Sequence, residues 1–156
     1  MACTCSPRSL VTAFAGGALS VIVFHQSAVA ALYGLSVMPP GFEPWSMSPV
    51  PPLGIPAVLS KAFWGGLWAI LLWQFLHQAT GTAYWVGWTV LGAIALPLVA
   101  IFVVPPLKGA PIPDIGERLP LYAFINALWG LGTALILRSL RAVGNSAGCG
   151  VRQGMN

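Results

Sequence analysis

Only ten of the 156 residues are charged, 6%, against 57% hydrophobic types and a mean hydropathy of +0.82. A soluble domain averages about 25% charged residues, so this chain cannot cover a globule with polar side chains, and disorder would need low hydrophobicity with high net charge. An integral membrane protein of one domain remains.

The charges mark out the spans. Uncharged stretches run from Ser9 to Phe42, from Ala62 to Leu107 and from Leu119 to Leu137. A membrane helix takes about 20 residues at 1.5 Å each. The middle stretch therefore holds two, divided where His77-Gln78-Ala79-Thr80-Gly81-Thr82 gathers polar and small residues. The expected fold is all-α, an integral membrane four-helix bundle with spans at about 10–35, 57–76, 83–104 and 119–140. Strands are disfavoured, because a membrane barrel strand alternates over about ten residues rather than running unbroken.

The first span carries Arg8, the apolar run Leu10–Phe24 and then Ala28-Val29-Ala30, a pattern shared with a cleaved signal peptide. The apolar run continues through Ala31–Leu35, and His25-Gln26 sits awkwardly before a cut, so a retained span is expected. Seven of the 14 prolines then fall in 36–57 and five in 105–120. Both loops should be extended and short of regular structure, since proline lacks an N–H and fixes φ. Pro97, inside the third span, is expected to kink it.

Four spans put both termini on one side, with Arg8, Arg138, Arg141 and Arg152 and no acid. The other side has Lys61, Lys108 and Arg118 against Glu43, Asp114 and Glu117. The excess of Lys and Arg places both termini in the cytoplasm and the proline loops outside. Anionic lipid at the inner leaflet accounts for these arginines. No stripe of basic and aromatic residues suited to nucleic acid is present.

The halves look related. Pro39-Pro40 and Pro105-Pro106 follow the first and third spans, and Ala62-x-Trp64-Gly65 returns 65 residues later as Ala127-x-Trp129-Gly130. A duplicated helix–proline loop–helix unit, about 10–76 and 83–140, is expected. Two spans per unit relate the copies by an axis along the membrane normal. Ala62, Gly65 and Ala69 form one small-residue stripe, and Ala127, Gly130 and Ala134 another. Such stripes let backbones approach where lipid gives no hydrophobic drive for association. They serve packing within the chain or a homodimer.

Phe24-His25-Gln26, Pro49-Val50-Pro51-Pro52-Leu53-Gly54-Ile55-Pro56, Ala62-Phe63-Trp64-Gly65-Gly66-Leu67-Trp68 and Trp129-Gly130-Leu131-Gly132-Thr133 resemble those of an uncharacterised group of short bacterial inner-membrane proteins. The resemblance implies a four-span architecture and carries no activity or functional residue.

Catalytic and cofactor chemistries find little footing. Cys3, Cys5 and Cys149 do not make the Cys-x-x-Cys of a membrane thiol oxidoreductase. His25 lies roughly 15 Å deep while His77 ends the second span, so one haem cannot take both. A proton-coupled exporter needs a carboxylate inside the membrane, and every acid lies in an outer loop. No catalytic residue, metal or cofactor is therefore assigned. Buried polar residues in a span are functional candidates by default. His25, Gln26 and Asn126 fall at similar depth with Trp64 and Trp129 nearby, and together form a candidate polar pocket. The expected role is a non-catalytic structural, accessory or partner-binding subunit of the inner membrane. The second reading is a small transporter or ligand-binding membrane protein that uses this pocket.

Overall fold

The first apolar run folds as one helical path in three pieces: α1 (Pro7–Ser20), a π-helical segment (Val21–His25) and α2 (Gln26–Gly34). A short hairpin of β1 (Pro49–Val50) and β2 (Ile55–Pro56) follows, then α3 (Ala57–Leu76), α4 (Gly81–Phe102), the single turn α5 (Val104–Leu107) and α6 (Arg118–Gln153). This computed structural model describes residues 7–39, 41–107, 109, 111–112, 116 and 118–153, excepting the side chains of 7 and 142–153. Cys3, Cys5, Pro40, Lys108, Asp114 and Glu117 lie outside the described residues, as do the side chains of Cys149 and Arg152.

Arg8–Gly34, Gly81–Leu107 and Arg118–Arg141 are long and apolar enough to cross a membrane. At 20 residues α3 is also long enough. Lys61, Gln74 and three tryptophans hold its mean hydropathy below that of the other three. The bounds of α3 coincide with the expected second span. The last helix differs, running to Gln153 rather than stopping near Leu140. Arg138 and Arg141 end the apolar run but not the helix, and no proline follows to break it.

The loop after α2 is more regular than expected. Val50 and Ile55 pair antiparallel, as do Pro49 and Pro56. Two-residue strands tolerate proline because so few ladder N–H groups are required. The loop also caps α3, since the Ser48 and Ser46 carbonyls accept the Ala57 and Val58 N–H groups at 3.0 Å each. These are donors that a helix start leaves unsatisfied. At the other end of α3, His77 Nδ1 lies 3.1 Å from the carbonyls of Trp73 and Gln74, so this histidine finishes its own helix.

Packing follows the small residues. α3 lies on α1, where Gly17 leaves room for Gly65 and Ala69. α6 lies on α4, where a Cβ on Gly130 would meet the Trp88 carbonyl, and one on Gly92 would lie 2.7 Å from the Asn126 carbonyl. Ala62, Gly65 and Ala69 are buried, as are Gly130 and Ala134, while Ala127 is half-buried. Both stripes thus serve contacts within the chain. A third seam joins α1 to α6. There the Trp129 indole N–H donates to the Gly17 carbonyl at 2.9 Å, and the Ser20 hydroxyl donates to the Trp129 carbonyl at 2.6 Å. The resulting order is α3, α1, α6, α4.

α3 and α4 close the ring at one end. Leu76 packs on Gly87 there, beside Arg138 stacked on Trp85 and Arg141 on Trp73, at 5.6 and 4.4 Å. Toward the proline loops the two helices part.

Candidate functional site

The gap left by that parting is a cavity of about 670 Å³. Its walls come from the π segment, α2, α3, α4 and α6, and Met38 and Phe42 of the first loop close over it. Trp64, Leu67 and Leu71 of α3, Ala100 of α4 and Val104 of α5 line the cavity yet are exposed, which puts its mouth between α3 and α4. Phe42 meets the Tyr122 ring at 5.9 Å and ties the loop to the start of α6.

Four of the five pocket candidates, His25, Asn126, Trp64 and Trp129, line this cavity, and Gln26 does not. Successive residues on a helix point about 100° apart, so a wall that takes His25 turns Gln26 away. Gln26 is fully buried, with its Oε1 accepting the Trp45 backbone N–H at 2.8 Å. Asn126 donates its amide to the Tyr122 carbonyl of its own helix at 2.8 Å. The three polar residues therefore do not form one hydrogen-bonded cluster. His25 Nδ1 is buried without a hydrogen-bond partner among the described residues.

The repeated tryptophans also part company. Trp129 is 0% exposed in the α1–α6 seam, whereas Trp64 is 59% exposed at the cavity mouth. The matched glycines, Gly65 and Gly130, do play the same part, each pressed on the preceding helix of its pair.

The polar residues missing from the sequence reading are Ser60, Lys61 and Tyr122, all in the cavity wall. From the sequence Lys61 reads as a boundary charge. A signal for it existed, because Lys61, Trp64, Trp68 and Leu71 recur at i, i+3, i+7 and i+10, one face of a helix. Among the described residues Lys61 has no ion-pair partner, and no carboxylate lines the cavity. Described residues also hold no group of three or more His, Cys, Asp or Glu able to bind a metal.

The loop over the cavity is strapped to the first span. Gln26 N–H reaches back five residues to Val21 O, as a π turn requires. The Ile22 carbonyl, which an α-helix would give to Gln26, accepts the Trp45 indole N–H at 2.9 Å. Trp45 is held at φ 45°, a left-handed conformation costly for a bulky residue. Its two bonds into the span offset that cost. Gln26→Leu is expected to release the strap. Amide exchange at Trp45 should rise about tenfold, for a lost bond worth on the order of 1.5 kcal/mol, while exchange in α4 and α6 stays unchanged. Unchanged protection at Trp45 would show that the bond to Gln26 does not hold the loop.

Searches against family models, curated proteins and solved structures find no match to this chain.

Proposed function

We propose that this chain is a non-catalytic, four-span protein of the bacterial inner membrane that binds a small ligand in the cavity between α3 and α4. The observation that carries the reading is the cavity itself, about 670 Å³ with a mouth between two helices. Ligand sites are commonly concave, largely apolar and supplied with a few polar groups, within about 300–1,000 Å³. A purely structural subunit has no need to leave one seam open while Trp129 closes the other.

α3 is taken as a further span, in addition to the three more apolar helices. Its 20 residues give about 30 Å by helix rise, the thickness of the hydrocarbon core. Both termini are assigned to the cytoplasm. Arg138 and Arg141, stacked on Trp85 and Trp73, supply the basic and aromatic belt expected at that interface. The proline loops and the cavity then belong to the outer half. Duplication of a helix–loop–helix unit is part of the same reading, supported by the like contacts of Gly65 and Gly130. The resemblance to short bacterial inner-membrane proteins is its sequence counterpart.

Native mass spectrometry of the chain released from membranes in mild detergent tests the ligand. One small-molecule adduct per chain is expected, and Ala100→Trp, which fills the mouth, should remove it. If no adduct is found and crosslinking in membranes captures a defined protein instead, the accessory-subunit reading replaces this one.

A further inference from the structure

We infer that the cavity takes an anionic single-chain amphiphile, a fatty acid or a lysophospholipid, which enters sideways from the lipid between α3 and α4. The inference rests on the ligand-binding reading and adds the chemistry of the occupant.

Three observations converge. The wall is graded along its length. Ser60 and Lys61 stand at the proline-loop end of α3, with Tyr122 one turn into α6, while Leu67, Trp68 and Leu71 line the deeper part. From Lys61 to Leu71 the helix advances about 15 Å, half the hydrocarbon thickness of about 30 Å. That is the depth of one leaflet, so the deep part suits an acyl chain and the shallow part a headgroup.

The second observation is charge. Lys61 is a cation in the wall of a largely apolar cavity, without an ion-pair partner among the described residues, and no carboxylate lines the cavity. A charged group in a membrane is expensive unless it finds a partner or reaches water. An anionic headgroup supplies that partner, whereas a cationic amphiphile would be repelled. His25 adds a polar atom in the same wall, since its Nδ1 is buried without a hydrogen-bond partner among the described residues.

The third is access. Exposed cavity residues lie on both α3 and α4, while toward the arginine end Leu76 of α3 packs on Gly87 of α4. The mouth therefore opens along the side of the bundle, where a lipid tail is already in register with it.

Brominated stearic acid, its methyl ester and a brominated lysophosphatidylglycerol, each added to the full chain in phosphatidylcholine nanodiscs, distinguish the outcomes through saturable quenching of tryptophan fluorescence. The acid or the lysophospholipid should bind at least about tenfold more tightly than the ester, as expected for a charge-assisted contact. Lys61→Gln should erase that preference and Lys61→Arg should keep it, which separates lost charge from lost fold. Whichever anion binds more tightly identifies a carboxylate or a phosphodiester as the headgroup recognised. Equal binding of acid and ester would overturn the anionic assignment and leave the cavity reading intact. Absence of saturable quenching by all three would overturn the amphiphile, and the adduct experiment then decides the cavity reading separately.

Discussion

Gly130→Leu is expected to force α6 away from α4 and to lower thermal stability markedly. A Cβ at position 130 meets the Trp88 carbonyl and lies 3.3 Å from the Thr89 Cα, so the obstruction is backbone and no rotamer relieves it. Overpacking costs about 1–3 kcal/mol where side chains can move, and here at least the upper part of that range applies. Close backbone packing is also a principal source of helix association in lipid, so the loss is not recovered by burial elsewhere. Gly34→Ala is the control, since a Cβ there meets nothing within 4 Å. Melting of the detergent-solubilised variants checks both. Coincident curves for Gly130→Leu and the parent would show that α4 and α6 do not meet at this glycine.

The two tryptophans of the repeated Ala-x-Trp-Gly element should respond oppositely to truncation. Trp129→Ala leaves a void in the α1–α6 seam and deprives the Gly17 carbonyl of its indole donor. Large-to-small changes of this size cost about 3–5 kcal/mol in buried sites. Trp64→Ala, at the cavity mouth, should shift stability by less than about 1 kcal/mol while weakening retention of the bound adduct. The measurement is a pair of melting curves with native mass spectra on the same samples. Equal destabilisation by the two changes would place Trp64 in a closed seam and remove the mouth.

Much of this architecture was readable because charge is so scarce. Pro56, the last proline of the first loop, and the polar turn at 77–82 bracket α3, and its bounds are those expected from the sequence. His25 and Asn126 fall at similar depth by helical rise, and both line the cavity. Gln26 could not be separated from His25 by depth, since adjacent residues differ in direction rather than height. The π segment was not legible, because Val21-Ile22-Val23-Phe24 reads as any apolar helix. The strap went with it, since its acceptor is a backbone carbonyl that the sequence does not distinguish. The place of Lys61 is not legible for a different reason. A cation near a helix end has an ordinary explanation at the membrane surface, and only the parting of α3 from α4 puts it in a wall.

The order α3, α1, α6, α4 also bears on how the chain is made. Synthesis delivers α1 and α3 first, and they can pair through Gly17, Gly65 and Ala69 before α4 emerges. α4 arrives with the surface around Gly92 uncovered, and its main partner is still unsynthesised. Until α6 leaves the ribosome, α4 has Leu76 against Gly87 as its hold on the growing bundle. α6 then inserts between α1 and α4 and completes two seams at once. During that interval α1 and α3 are paired while α4 has only part of its final contacts, and membrane quality control would meet the chain in that form.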